Sequence, residues 1–276
     1  MIRLAVRCRP DLADRVLAEL VQLAPGGVEE ERGLDYVEYA IYGAEGELPA
    51  LPDLEAVTAG GLLEVVTSEV PDDWADRWRD FHRPILVGDR LWIRPSWEPP
   101  RDRMVDVVID PGHAFGTGAH PTTRLCLELM CELAGAGEAS GPLADLGTGS
   151  GVLAIAAAKL GWHPVVAADH ERPALDAARA NAAENGVEIE LRRLNLRSEP
   201  PPRAATIVAN LTAPALAAIA RRWAGAPAPD RPRRVVCSGL LAAEADGVAA
   251  ALRAGGLGEA ERRSDGDWTA LLMRAG

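Results

Sequence analysis

The stretch "LADLGTGSGVLAIAAAKLG", residues 143–161, decides the fold. Its first four residues read as a short strand, and the residues from Val152 onward as a helix with almost no polar face. Between them stand Gly147, Gly149 and Gly151, residues that take positive φ without steric cost, so the chain turns sharply from strand to helix. The alternation continues outward: "PVVAADH", "PALDAARANAAENG", "IELRRLN", "ATIVANL", "PALAAIARRWA", "RRVVCSGLL", "AAEADGVAAALRAGG" and a closing "DWTALLMRAG". Short apolar strands separated by helices predict an α/β domain, a parallel sheet with helices on both faces. A ligand of such a sheet lies at the carboxyl ends of the strands, near the reversal of strand order.

Three residues choose among nucleotide-like ligands. A dinucleotide fingerprint would carry its third glycine at position 152, where Val152 stands. Asp169, ending the strand "VVAAD", can accept both ribose hydroxyls of an adenosine. Asp145 beside the turn would repel a pyrophosphate but suit a cation. S-adenosylmethionine carries a sulfonium, an amino acid tail and an adenosine without phosphate, so these residues favour it over a nicotinamide cofactor. The segment "NLTAP", 210–214, puts Asn210 at the same sheet edge. Its amide either faces the transferable methyl and the incoming amine or caps the helix that follows.

Upstream the pattern changes. Residues 1–70 read as a small α+β unit: strand "IRLAVRC", helix "PDLADRVLAELVQLA", the alternating "VEEERGLDYVEYAIYG" and a strand "LLEVVTSEV". That order predicts a ferredoxin-like sandwich. Residues 71–100 read as a linker with a tryptophan-rich helix, holding Trp74, Trp78, Trp92 and Trp97. These rings serve either as aromatic glue between domains or as a substrate-contacting surface. The large domain then spans 101–276.

The 276 residues suffice for a large and a small domain. A net charge of -12 argues against direct nucleic-acid binding and makes a basic protein the easier partner. Cys8, Cys126, Cys131 and Cys237 form no C-x-x-C pair, so neither a zinc knuckle nor a disulfide framework is expected. The amino terminus has no apolar h-region and no stretch reads as a membrane span, which predicts a cytoplasmic protein. Lys159 is the only lysine beside twenty-eight arginines, leaving Schiff-base chemistry almost without a candidate. Neither Ser150 nor Ser238 sits in G-x-S-x-G, which excludes a serine hydrolase of that type.

Four segments together, "GHAFGTGAHPTTRLCLELM", "DLGTGSGVLAIAAAKLG", "ANLTAP" and "DWADRWRDFHRPILVGDRLWIRPSWE", closely resemble the bacterial ribosomal protein L-eleven methyltransferase family. The resemblance runs firmly from about Asp73 to Leu241 and returns in "GDWTALLMR". It implies a Rossmann-like methyltransferase domain behind a ferredoxin-like substrate-recognition domain. It also implies N-methylation of lysine side chains and the N-terminal α-amine of that large-subunit protein, with S-adenosylmethionine as cofactor and no metal. Carried over by position, the cofactor contacts fall on Thr123, Gly147, Asp169 and Asn210, with Asn210 also catalytic. The segment around Gly116 and Gly118 would be a loop closing over the cofactor. Departures from the commonest pattern are Thr148, where many members carry cysteine, and His170-Glu171, where Ile-Asp is frequent.

On this reading the Asn210 carbonyl and nearby backbone oxygens orient a neutral amine, and the enzyme is a monomer. His113 and His120 are not a metal pair by spacing alone, and His120 reads as loop scaffolding rather than a proton acceptor. The rival readings are lysine methylation of a different client protein, a nicotinamide dehydrogenase and a catalytically silent cofactor-binding module.

Overall fold

A computed structural model describes residues 2–13, 16, 29–33, 35–43, 62–69, 83–110 and 120–276. The chain divides into two compact units, 1–81 and 82–276. In the first, β1 (Ile2–Cys8), β2 (Glu29–Arg32), β3 (Val37–Gly43) and β4 (Leu62–Glu69) form an antiparallel sheet in the order β2-β3-β1-β4. This is the strand order of a ferredoxin-like sandwich. Alternation explains its core: Leu4, Val6 and Cys8 of β1 pack with Val37, Tyr39 and Ile41 of β3 on one face. On β1, Arg3 and Arg7 alternate with those residues, and both pair with Glu38. The helix expected at 10–24 begins as a 3-10 turn, Pro10–Leu12, and then falls largely outside the described residues.

The second unit opens earlier than the sequence suggested. Strands β5 (Ile85–Val87), β6 (Leu91–Arg94) and β7 (Val105–Val108) form a three-stranded sheet. Val87, Leu91, Ile93 and Val107 belong to the same apolar core as the large sheet. The segment read as linker up to residue 100 thus joins the larger unit from its first strand. Trp92 lies on β6, its indole N–H donating to the Pro99 carbonyl and its ring under the Arg101 guanidinium at 5.4 Å. Trp74 and Trp78 lie outside the described residues.

The large sheet is built from β8 (Leu143–Leu146), β9 (Val165–Asp169), β10 (Glu190–Arg193), β11 (Thr206–Asn210), β12 (Arg234–Leu241), β13 (Leu257–Asp265) and β14 (Trp268–Ala275). Its order is β10-β9-β8-β11-β12-β14-β13. The first five strands of that list run parallel, while β14 is antiparallel to both its neighbours. Helices α1 (Pro121–Gly135) and α2 (Val152–Leu160) cover one face, with α3 (Arg172–Glu184) beside α2. Helices α4 (Ala213–Gly225) and α5 (Ala242–Ala254) cover the other.

Successive strand residues therefore enter opposite cores. Val208 and Val236 face α1 and α2, and Ile207 and Val235 face α4 and α5. Each fully buried aliphatic side chain contributes about 1.5–3 kcal/mol, which is why these strands read as unbroken apolar runs. Lys159, in the last turn of α2, donates its ammonium to the Asp106 carbonyl at 2.5 Å, and burial lowers its pKa. All four cysteines are buried and free. Among the described residues no helix is long and apolar enough to cross a membrane.

Candidate active site

The order of the sheet reverses at β8, and the chain opens a cleft of about 460 Å³ at the carboxyl ends of β8, β9, β11 and β12. That volume falls within the roughly 300–1,000 Å³ of small-molecule sites. Gly147, Asp169 and Asn210 line it together, with His120, Leu211 and Trp268. Three of the four residues singled out from sequence thus meet in one cavity. The fourth, Thr123, is buried behind it: Thr122 lines the cleft and Thr123 does not. The Thr123 hydroxyl instead accepts a hydrogen bond from Asn210 Nδ2 at 3.0 Å.

The glycine turn is shaped by close packing. Gly147 has φ +75°, and a Cβ built there would fall 2.5 Å from Leu211 Cδ2. Gly239, at φ +84°, approaches Leu211 from β12, and a Cβ there would fall 2.5 Å from the Leu211 carbonyl oxygen. Leu211 is thus held between two glycines on different strand ends, fixing the start of the "NLTAP" segment.

Four of the turn's N–H groups are already committed. Those of Gly147 and Thr148 donate to the Ala168 carbonyl at 2.8 and 3.1 Å, and that of Gly151 donates to the Thr148 carbonyl at 2.9 Å. The Gly149 N–H goes to Asp169 Oδ2 at 3.1 Å. A phosphate-binding turn must present such donors to its ligand, so this one fits a cofactor without pyrophosphate. Asp169 takes a second backbone N–H, from Glu171, on Oδ1. Each carboxylate oxygen accepts one of these bonds and keeps acceptor capacity for a ribose hydroxyl.

Asp145 departs from the sequence expectation. It is fully buried and does not line the cleft. Its Oδ2 accepts from the Thr148 hydroxyl at 2.6 Å, while Oδ1 has no hydrogen-bond partner among the described residues. Burial raises its pKa to about 7, opposed by the Thr148 bond and reinforced by the charge of Asp169. It is held inside the turn, on the Thr148 hydroxyl.

His120 is the N-cap of α1, its Nδ1 accepting from the Thr122 N–H at 3.3 Å. Burial holds its pKa below the usual histidine range, and its ring meets Trp268 edge-on at 5.1 Å. His120 thus caps α1 and also lines the cleft. His113 and the first glycine segment lie outside the described residues.

Other lining residues were not singled out from sequence. Leu194, Asn195, Leu196 and Arg197 follow β10. Their loop is held by Arg222 of α4, which donates to the carbonyls of Leu196 at 3.0 Å, Arg197 at 2.6 Å and Glu199. The available signal was position alone, at the carboxyl end of a strand. Gly239 had a stronger signal, a glycine at the end of the apolar run "RRVVC".

A sheet of this order, a turn with four of its amides spent internally and a carboxylate at the next strand end fit an S-adenosylmethionine-dependent methyltransferase, the class its relatives define. Comparison with known proteins narrows the class. The family model described as "Ribosomal protein L11 methyltransferase (PrmA)" matches residues 48–276, and the chain belongs to that family. It is 42% identical over 246 residues to the ribosomal protein L11 methyltransferase of Pelotomaculum thermopropionicum, covering 83% of this chain and 78% of that protein. It is 41% identical over 213 residues to the one from Geobacter metallireducens, covering 76% and 69%. Among solved structures it is similar to a ribosomal protein L11 methylase from Lactobacillus delbrueckii subsp. bulgaricus. That match has a TM-score of 0.61 and 30% identity, covering 71% of this chain and all of that one. Members of the family use S-adenosylmethionine.

Proposed function

We propose that this chain N-methylates lysine side chains and the N-terminal α-amine of ribosomal protein L11, with residues 1–70 recognising the substrate and 101–276 carrying the transfer. One observation carries the reading: Gly147, Asp169 and Asn210 line a single cleft at the switch point of the sheet. When bound, S-adenosylmethionine supplies an electrophilic methyl group on a sulfonium.

Asp169 accepts the ribose hydroxyls, Gly147 lets the cofactor approach the backbone, and the apolar side chains of Leu194 and Leu196 flank the cleft beyond Asp169. Asn210 faces the acceptor. Alignment of donor and acceptor contributes on the order of 7–11 kcal/mol, so the residues that fix position matter more than any base. The acceptor amine has to be neutral; for lysine at neutral pH that costs roughly 4.6 kcal/mol in water. Leu211, Ala215 and Trp268 make the cleft wall apolar, which disfavours the ammonium form and lowers this cost. The amine gives its proton to water before transfer, and the Asn210 carbonyl oxygen accepts one of its remaining N–H bonds.

The chain's net charge of -12 favours a basic client, and it acts as a monomer in the cytoplasm without binding nucleic acid directly. The test is transfer of labelled methyl groups from S-adenosylmethionine to the purified ribosomal protein, read by mass spectrometry. Labelled lysines and α-amine are the expected result. Labelling of a different protein from the same cells, with the ribosomal protein unmodified, would replace this client with another.

A further inference from the structure

We infer that Asn181, a buried residue of α3 outside the cleft, positions the glycine turn that holds the cofactor by tying the Ser150 carbonyl to the backbone beyond β7. The inference rests on the reading of Gly147 and Asp169 as the cofactor's contacts.

Helix α3 lies directly against the turn. Gly151 has φ +85°, and a Cβ built there would fall 3.0 Å from Ala178 Cβ and 3.1 Å from Ala178 Cα, so no side chain fits between them. Asn181, 3% exposed and one helical turn beyond Ala178, shares that face of the helix. Its Nδ2 donates to the Ser150 carbonyl at 2.8 Å, and its Oδ1 accepts the Asp110 N–H at 3.0 Å. A backbone carbonyl only accepts and a backbone N–H only donates, so these two partners fix which end of the amide faces which.

The next asparagine along that face binds the neighbouring strand without touching the turn. Asn185 is the C-cap of α3, and its amide takes both backbone groups of one β7 residue. Oδ1 accepts the Val108 N–H at 2.9 Å, and Nδ2 donates to the Val108 carbonyl at 2.5 Å. Asn185 therefore fastens α3 to β7, whereas Asn181 fastens the backbone just beyond β7 to the glycine turn.

From Ser150 the constraint reaches the cofactor's side through bonds within the turn. The Gly151 N–H donates to the Thr148 carbonyl at 2.9 Å, and the Gly149 N–H to Asp169 Oδ2 at 3.1 Å. Neither Asn181 nor Ser150 lines the cleft, whereas Gly147 and Asp169 do. Removing the amide takes a bond from two backbone groups, and the Ser150–Gly151 peptide loses the contact that sets its plane. The turn then presents Gly149 to Asp169 less firmly. Asn181 thus acts on cofactor affinity rather than on the transfer step, which makes it a positioning residue.

The test compares Asn181→Ala with Asn185→Ala in the full chain, by calorimetry with S-adenosylmethionine, thermal melts and kcat at saturating cofactor. Both variants should melt below wild type. Asn181→Ala alone is expected to weaken the cofactor Kd, by about 10-fold, the scale of coupling within one hydrogen-bond network. Its kcat at saturation should stay within about twofold of wild type. In an Asp169→Ala background the same substitution should weaken Kd by less than it does in wild type. If Asn181→Ala does not fold, Asn181→Leu, close in volume and without hydrogen bonds, takes its place. An unchanged Kd in the Asn181 variant, or an equal loss in Asn185→Ala, would overturn the inference and leave the cofactor site standing. Unchanged affinity in Asp169→Ala would remove the reading of that site and the inference with it.

Discussion

At the carboxyl end of the large sheet the chain places Gly147 and Gly239 at positive φ, a buried carboxyl group at Asp145 whose Oδ1 has no hydrogen-bond partner among the described residues, and the cleft residues Asp169 and Asn210. At the amino end, Glu138 sits between Arg234 and Arg274, bonded to the first at 2.9 Å and to the second at 2.6 and 2.9 Å. Both ends use charge and hydrogen bonding, yet Glu138 is flanked by two guanidinium groups while Asp145 meets the Thr148 hydroxyl. The contrast is between a carboxyl group held by burial and a single hydroxyl and one held by two guanidinium groups, and it has measurable consequences.

The largest effect is expected at Asn210. Asn210→Ala should lower kcat by about 100-fold or more, the scale of losing a group that orients a reacting atom, with the melting temperature near wild type. Next comes Asp169→Ala, which should weaken cofactor binding about 10- to 100-fold, the worth of hydrogen bonds to a charged acceptor. Calorimetry with S-adenosylmethionine measures this, and unchanged affinity would remove Asp169 from the ribose.

Asp145 sharpens the comparison through pH. Its folded pKa, about 7, stands above the ordinary 3.8, so between these values the native state binds more protons than the unfolded chain. The contribution to stability is full below the unfolded pKa and is lost as pH rises through 7, at up to about 1.4 kcal/mol per pH unit. Wild type compared with Asp145→Asn should show this slope in melts from pH 5 to 8, and parallel curves would refute it. Glu138 has the opposite sign: Arg274 and then Arg234 hold its carboxyl below the usual range. Its stabilisation is present at neutral pH and lost on acidification below the ordinary glutamate range. Because this carboxylate is only partly buried, Glu138→Gln should cost about 1 kcal/mol or less, with turnover unchanged. A loss of activity without a loss of stability would contradict the assignment of that end to structure.

Much of the fold was legible because the parallel strands are buried on both faces. Runs such as "ATIVA" and "VVAAD" need no alternation to be recognised. Strand β13 was missed for the converse reason: at the sheet edge, the burial of "LGEAERRSD" alternates between exposed and partly covered along a charged sequence. Asp145 was misplaced because strand geometry alternates. It is fully buried on the Thr148 hydroxyl, whereas its place beside the turn suggested a carboxylate presented to a cation. Gly147, Asp169 and Asn210 were readable from their places at strand ends. The bond from Asn210 to Thr123 was not, since it joins residues that only the tertiary fold brings together. The early start of the larger unit at β5 was hidden because "ILV" and "LWIR" are strands of only three and four residues, too short for a clear period.

The solitary Lys159, tied to a carbonyl of β7, gives amine counting an unusually clean background. These 276 residues bring one lysine to a reaction mixture, so label appearing on several lysines can be credited to the client without separating the two proteins.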